Sequence, residues 1–269
     1  MTIESTTNDE KVISEFMSPL VIPYETTKTT YNINGNIIHL IKIILNSDVK
    51  PVLFTFAGMS HKSFLGTSSV VVSKLDLLKE KFKEIYLVEY ASFSPNQINA
   101  CGKRDTVKKT SKDMAIIYKP ELDMNEEIAS NVNDIVNDLH LSNVHLLGKC
   151  NGGWIVTLLL LKNDIYKGLY LAVPGIPFNV DVLNRLSQNR LEEINFVFGW
   201  VKQDGYPFDW GNKSFQEKDV YDGMMKSIKD NKGIAMKYKS LMYDNGGDVD
   251  EKKYHEIYSQ MINDIVSSL

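Results

Sequence analysis

Short apolar segments alternate with segments of helical periodicity along most of this chain. The segments 52–56 and 144–147 are almost entirely apolar, which indicates strands buried on both faces, whereas the apolar residues of 125–139 recur at three- and four-residue steps. Such alternation predicts an α/β fold with a mostly parallel central sheet and helices on both faces of that sheet.

The same criteria predict the remaining elements. Asn34-Gly35, between two strand-like segments, indicates a hairpin and therefore an antiparallel edge to the sheet. Residues 92–122 are polar and are predicted to form a surface excursion. Further strands are predicted at 37–45, 85–90, 168–173, 194–201 and 234–243, with a short one at 114–118, and helices at 70–82, 154–161, 180–191, 214–229 and 252–266.

The length of 269 residues allows one large α/β domain with a substantial buried core. We assign residues 1–20 to an N-terminal arm, loose or forming a short helix, and residues 21–269 to a single domain. Only one predicted helix separates the strands 168–173 and 194–201, so a cap domain is expected to be minimal or absent.

The composition excludes several classes of function. A net charge of −4, from 30 Lys+Arg and 34 Asp+Glu, gives no general attraction to nucleic acid or to anionic membranes. No apolar segment approaches the roughly 20 residues of a membrane span, and the polar N-terminus lacks the apolar core of a signal peptide. A cytoplasmic protein is therefore predicted, in which Cys101 and Cys150 stay reduced. No dinucleotide, phosphate-loop or zinc motif occurs, so no cofactor or metal is expected.

The most informative motif is Gly148-Lys-Cys-Asn-Gly-Gly153, which lies between a predicted strand and a predicted helix. A nucleophile at such a corner needs neighbours without side chains, because the chain turns too tightly to accommodate them. The start of the following helix favours the thiolate form of Cys150, and Lys149 adds a positive charge if its side chain points that way. The alternative is a glycine-rich turn that contains a buried cysteine.

With this motif and this order of elements, the chain resembles the α/β-hydrolase superfamily, and in particular its members with a cysteine nucleophile, such as dienelactone hydrolases and polyhydroxyalkanoate synthases. The resemblance extends from about residue 24 to the C-terminus. It implies an eight-stranded sheet and an acyl-enzyme mechanism. The catalytic residues would follow the order nucleophile, acid and histidine, with Cys150 as the nucleophile.

The resemblance also implies an oxyanion hole made of two backbone N–H groups. One would belong to Asn151, after the nucleophile, and the other to Met59, in the loop that follows the family's third strand. Gly58 would let that loop approach closely, although an ordinary strand-to-helix turn explains these residues equally well. His61 lies in the same loop and is a candidate for substrate contact or for the base, although an exposed polar residue is the favoured interpretation.

The family's acid follows its seventh strand, where Asp204 is the first choice and Asp209 the second. An aspartate before a glycine is also common in ordinary turns. The family's histidine follows the last strand, but Asp248 occupies that position here. His255, seven positions later, can serve only if the loop is long or the last helix begins late; otherwise it is a solvated helix residue.

The other histidines are poor candidates for the base, because they fall in or beside strands or at a helix end; they are His39, His140 and His145. The predicted substrate-binding residues are His61, Trp154 and Tyr206, in a site roofed by the loops 57–66, 92–122 and 206–210. Phe178, Phe208 and Trp210 would line an apolar pocket or belong to the core. A basic run in the excursion would attract an anionic substrate or simply be solvated; it consists of Lys103, Arg104, Lys108 and Lys109.

These features predict a hydrolase or acyltransferase that acts on a small-molecule ester or thioester through a triad of Cys150, His255 and Asp204. The alternative is an α/β-hydrolase-like scaffold that has lost turnover and binds a ligand or a protein partner. A cysteine tolerates the loss of a base better than a serine does, because the ordinary thiol pKa is already near 8.5.

Overall fold

A computed structural model describes residues 4–7, 20–33, 36–46, 48, 50–58, 61–90, 119–172, 185–201, 238–243 and 251–267 of the chain. The strand predicted at 114–118 and the helix predicted at 214–229 lie outside these ranges.

The centre of the fold is a nine-stranded sheet with the order β1-β2-β3-β5-β4-β6-β7-β8-β9. The pairs β1–β2, β2–β3 and β3–β5 are antiparallel. The pairs β5–β4, β4–β6, β6–β7, β7–β8 and β8–β9 are parallel. The predicted mostly parallel α/β class is therefore confirmed. The strands are β1 Glu4–Thr7, β2 Thr26–Ile33, β3 Asn36–Ile44, β4 Val52–Phe56, β5 Glu84–Glu89, β6 Val144–Lys149, β7 Tyr166–Ala172, β8 Asn195–Val201 and β9 Tyr238–Tyr243.

Helices cover both faces of this sheet in the described part of the chain. They are α1 His61–Val72, α2 Leu75–Leu78, α3 Lys119–Asp138, α4 Asn151–Leu160, α5 Gln188–Glu193 and α6 Glu251–Ser267. Residues of α3 and α4 join one hydrophobic cluster with one face of the sheet, and residues of α1, α2 and α6 join a second cluster with the other face. All ten residues of α4 are buried. None of the described helices is both long and apolar enough to cross a membrane.

The N-terminal segment differs from the prediction, because Glu4–Thr7 form a strand rather than a loose or helical arm. They pair antiparallel with β2 and add one strand to the eight that the resemblance implies. Without β1, the outer edge of β2 would present unpaired backbone groups, and a short threonine-rich segment suits that position. The hairpin prediction is confirmed by the register, in which Ile33 is paired with Asn36.

The predicted helix 70–82 is replaced by α1, which begins earlier, at His61, and by α2, which is separated from α1 at Ser73 and Lys74. Residues 61–66 are therefore helical and not part of a loop over the site. The segment was missed because Gly66, Thr67 and three valines have low helix propensity. Burial of Phe64 and Val71 against the sheet outweighs that propensity.

Three more helix boundaries differ from the predictions. Helix α3 starts at Lys119, inside the predicted excursion, and α4 starts at Asn151 rather than at Trp154. The described part of the predicted helix 180–191 is interrupted at Ser187, which is extended and accepts a hydrogen bond from the Arg190 backbone N–H at 3.2 Å. Ser187 is therefore an N-cap that starts the new helix α5.

The carboxyl ends of β4 and β6 meet at the point where the sheet topology reverses. These strands are parallel neighbours, with Phe56 opposite Gly148. The chain leaves β4 for α1 on one face and leaves β6 for α4 on the other. Divergence of this kind opens a crevice between the two strand ends, which is where ligands bind in open α/β sheets.

Candidate functional site

Cys150 lies at the crevice between β4 and β6, in a backbone conformation that L-residues rarely adopt. It follows the last residue of β6 and precedes the first residue of α4, with φ 52° and ψ −127°. Among the described non-glycine residues, only His140 also has a positive φ. Holding a side chain in such a conformation costs about 1–3 kcal/mol, so surrounding contacts must impose it.

The glycines on either side of Cys150 allow this sharp corner. A Cβ on Gly148 would lie 2.6 Å from the Gly152 carbonyl oxygen, and a Cβ on Gly152 would lie 2.4 Å from the Ala57 carbonyl oxygen. Both contacts involve backbone atoms that cannot move aside easily. The motif therefore forms a strained strand-to-helix corner, as predicted for a nucleophile elbow.

Cys150 is partly exposed and is not part of a disulfide. A buried cysteine in a glycine-rich turn, the alternative drawn from the sequence, does not describe it. At the start of α4 the helix dipole and the backbone N–H groups of the first turn favour a thiolate.

Lys149 does not extend over the corner toward solvent. Its side chain is buried, and its Nζ lies 4.6 Å from the centroid of the Tyr258 ring on α6. A lysine ammonium over an aromatic face is stabilised by a cation–π interaction. Lys149, the residue before Cys150, therefore contacts the last helix, α6, through the Tyr258 ring.

Of the two residues predicted to donate to an oxyanion, the structure describes Asn151 alone. Asn151 is the first residue of α4, so its backbone N–H has no intrahelical acceptor. Met59 lies outside the described residues. Ala57 and Gly58, which precede it, are buried at the end of β4, and Gly152 packs against the Ala57 carbonyl.

Two buried polar residues that the sequence analysis did not single out lie behind Asn151. Asn125 on α3 and Asn151 exchange a pair of amide hydrogen bonds, 2.9 Å from Asn125 Nδ2 to Asn151 Oδ1 and 3.0 Å in the reverse direction. Asn125 precedes the buried stripe of Ile128, Ala129 and Val132 at helical spacing. A polar residue on the apolar side of a helix is the signal that could have identified it.

Tyr90 is the second such residue and directly follows β5. Its hydroxyl donates a hydrogen bond to the Ala57 carbonyl. Burial raises the pKa of Tyr90 above its ordinary value, while a hydrogen bond from the Asn151 side chain acts in the opposite direction. The phenol is therefore neutral at physiological pH.

The predicted acid and base lie on the carboxyl side of β8 and β9. Asp204, Asp209, Tyr206 and Asp248 are outside the described residues. His255 is the fifth residue of α6, which begins at Glu251, so a late start of the last helix is not observed. His255 lies three positions, close to one turn, before Tyr258, whose ring contacts Lys149. Its role as a base stays a prediction.

Two of the predicted substrate-binding residues occupy helices. His61 is the first residue of α1 and not part of a loop. Trp154 on α4 is only 8% exposed and belongs to the hydrophobic cluster of α3 and α4. Trp154 therefore packs mainly as a core residue, and its contact with substrate stays a prediction.

A second polar cluster lies near the amino end of β6. His145 Nδ1 forms a short hydrogen bond with the Tyr170 hydroxyl, and the Phe82 ring packs edge-on against the imidazole. Burial lowers the pKa of His145 to about 4. The imidazole is neutral at physiological pH and lies near the amino end of β6, whereas Cys150 follows the carboxyl end of that strand. Within the described ranges, no group of three or more His, Cys, Asp or Glu side chains is arranged to hold a metal ion.

Comparison with solved structures shows the fold. The chain superimposes on a predicted CIB-like hydrolase from Thermoplasma acidophilum with a TM-score of 0.55 and 13% identity, covering 91% of this chain and 100% of that one. It superimposes on an enterobactin and salmochelin hydrolase with a TM-score of 0.53 and 14% identity, covering 94% and 99%. For a carboxylesterase from Bacillus subtilis the TM-score is 0.52 and the identity 11%, covering 94% and 95%.

No family model and no curated protein sequence matches the chain. The structural likeness establishes an α/β-hydrolase fold over most of the chain. At these identities it does not establish the activity.

Proposed function

We propose that the protein is a hydrolase or acyltransferase that acts on a small-molecule ester or thioester through a covalent intermediate on Cys150. The observation that carries this proposal is the partly exposed thiol at φ 52° on a strained corner, next to the topological crevice between β4 and β6. Backbone strain is kept at a position where a reactive group must be presented. The hydrolases and the esterase of similar fold support an acyl substrate.

The proposed reaction starts at Cys150 and takes its other groups from the resemblance. Cys150 gives its thiol proton to His255, the thiolate attacks the acyl carbon, and the carbonyl π electrons move to the oxygen, which the N–H groups of Asn151 and Met59 stabilise. The tetrahedral intermediate collapses, the alkoxide or thiolate leaves with a proton from His255, and an acyl-Cys150 thioester remains. Water, deprotonated by His255, then attacks this thioester and releases the carboxylic acid, while Asp204 orients the imidazole. An alcohol or thiol in place of water gives transfer.

This mechanism resembles that of the dienelactone-hydrolase type of enzyme. Asp204 and Met59 enter the proposal from the resemblance alone. The role of His255 as the base is supported only by its position on α6, one helical turn before Tyr258. The Tyr258 ring contacts Lys149, which precedes Cys150.

The start of α6 at Glu251 favours a second candidate function. With Asp248 at the family's histidine position and His255 inside the helix, the chain would acylate at Cys150 but fail to deacylate, and it would act as a binding scaffold. The two candidates differ in turnover and not in the identity of the reactive thiol.

Hydrolysis of a series of p-nitrophenyl esters tests the proposal. We expect Cys150→Ala to abolish hydrolysis, and Cys101→Ala, which alters the other cysteine of the chain, to retain wild-type activity. Unchanged hydrolysis by Cys150→Ala would remove Cys150 as the nucleophile.

A second pair of variants tests the base. His255→Gln should reduce the deacylation rate by about 100-fold or more, because general-base catalysis contributes about 10²–10⁴-fold. The matched control is His140→Gln at an exposed histidine. If each wild-type chain takes up one acyl group and then fails to turn over, the result would favour the second candidate function, a binding scaffold.

A further inference from the structure

A chain of contacts behind the thiol joins the two strand ends at the site. Asn125 on α3 is hydrogen-bonded to Asn151 on α4 in both directions. The Tyr90 hydroxyl donates to the Ala57 carbonyl, and Gly152, which follows Asn151, packs against the same carbonyl. Asn125 and Asn151 are 0% and 2% exposed, so this chain is shielded from water.

The donors in this chain are already used within the protein. A tyrosine hydroxyl has one proton, and Tyr90 donates it to the Ala57 carbonyl. Asn151 is only 2% exposed, and its side-chain amide donates to Asn125. Asn151 therefore offers substrate its backbone N–H and not its side chain.

The two ends of the chain coincide with the two halves of the oxyanion hole. Asn151 carries one backbone donor, and the Ala57 carbonyl belongs to the segment that leads through Gly58 to Met59, the other donor in the proposed mechanism. Gly152 also packs against the same Ala57 carbonyl. The positions of the two donors relative to each other thus depend on contacts at a single carbonyl group.

We propose that Tyr90 and Asn125 are positioning residues, which hold Ala57, after the end of β4, and Asn151, at the start of α4, in their relative positions. This inference rests on the proposed function, because it assumes that an acyl group reacts at Cys150. Tyr90 acts through the Ala57 carbonyl and Asn125 through the Asn151 side chain.

Two reactions of the same thiol separate this role from a purely structural one. Acylation by p-nitrophenyl acetate develops negative charge on a carbonyl oxygen, whereas alkylation by iodoacetamide displaces iodide and develops none. Tyr90→Phe keeps the ring but removes the hydroxyl that donates to the Ala57 carbonyl. We expect the acylation rate of Tyr90→Phe to fall by about 10–100-fold, since small misplacements of such donors have effects of this order. The alkylation rate of Cys150 should stay within about twofold, because it needs only the thiolate.

The matched control is Tyr86→Phe on β5, the strand that ends just before Tyr90; its hydroxyl donates to Glu84 at 3.0 Å. It should leave both rates unchanged. Asn125→Ala should reproduce the effect of Tyr90→Phe. The double variant should lose less than the product of the two single losses, because both changes break the same chain. If Asn125→Ala does not fold, Tyr90→Phe still decides the matter.

The outcomes are distinct. Acylation of Tyr90→Phe at the wild-type rate would overturn the positioning role while leaving the nucleophile intact. An equal fall in acylation and alkylation would also overturn it, because the effect would then be a general disturbance of the corner. If the wild type itself is not acylated at Cys150, the proposed function fails, and this inference fails with it.

Discussion

Strand β6 carries a polar group near each end, and the two ends are built differently. At the amino end, His145 is packed against Phe82 and Tyr170, and burial keeps it neutral. At the carboxyl end, about 17 Å away by the rise of an extended strand, Cys150 is partly exposed in a strained conformation.

The difference shows that a buried polar residue is not by itself a sign of chemistry. The amino-end cluster removes a titratable group from water and satisfies it with one partner. At the carboxyl end, polar side chains are buried near the corner, while Cys150 is partly exposed. Partial exposure and backbone strain together distinguish the candidate site from the structural cluster.

Alanine substitution of a glycine beside each end of β6 should have the largest effects. The substitution near Cys150 should lower both stability and reactivity, whereas the one near His145 should lower stability alone. Gly152→Ala places a methyl group 2.4 Å from the Ala57 carbonyl oxygen, so we expect a loss of at least about 3 kcal/mol in the free energy of unfolding and slow acylation of Cys150. Gly168→Ala, on β7 beside His145, meets side-chain rather than backbone atoms, 2.5 Å from the Tyr170 hydroxyl and 2.6 Å from His145 Nδ1. Gly168→Ala should lower the free energy of unfolding less than Gly152→Ala does, and it should leave the acylation rate of Cys150 unchanged.

Urea unfolding together with the acylation rate measures both effects. Equal losses of stability and reactivity in the two variants would contradict the division between the two ends of β6.

The amino-end cluster should make stability depend on pH. The pKa of His145 is about 4 in the folded protein, against about 6.5 for an unperturbed histidine. Between these values the unfolded chain binds the extra proton, so stability is complete above about pH 6.5 and decreases as the pH falls toward 4. The difference between the folded and unfolded pKa values of His145 corresponds to a loss of about 3 kcal/mol at most in the free energy of unfolding.

His145→Gln keeps a hydrogen-bonding partner for Tyr170 and does not titrate in this range. It should remove about 2–3 kcal/mol of the acid-induced loss, measured as the difference in unfolding free energy between pH 7 and pH 4.5. His140→Gln, at an exposed position, is the control. A variant that loses as much stability as the wild type on acidification would show that His145 is not kept neutral by the fold.

The smallest expected change is a gain in stability at the carboxyl end. Cys150→Gly should relieve the strain at φ 52°, because glycine adopts positive φ freely. Part of this gain is offset by the greater entropy of the unfolded chain, so we expect about 1 kcal/mol of net stabilisation together with complete loss of acylation. Thermal unfolding of Cys150→Gly and Cys150→Ala provides the measurement. A less stable glycine variant would indicate that the backbone at Cys150 is not strained.

The sequence predicted the parts of the molecule that depend on local patterns. The apolar strands, the hairpin at Asn34-Gly35 and the corner at Gly148–Gly152 are each encoded within a few neighbouring residues. The strand Glu4–Thr7 and the helix His61–Val72 were missed because pairing with β2 and packing against the sheet outweigh their weak propensities.

The polar chain behind the thiol was missed for a different reason. Asn125 lies 26 positions from Asn151, and Tyr90 lies 33 positions from Ala57. No local pattern records such pairs, and only the strand order β5-β4-β6 brings them together.

Mass spectrometry of the intact protein after brief exposure to p-nitrophenyl acetate, followed by peptide mapping, tests the nucleophile most directly. We expect one acetyl group per chain, located on Cys150, and none in the Cys150→Gly variant. Acetylation spread over lysines, or located on Cys101 with Cys150 unmodified, would contradict the assignment of Cys150 as the reactive group.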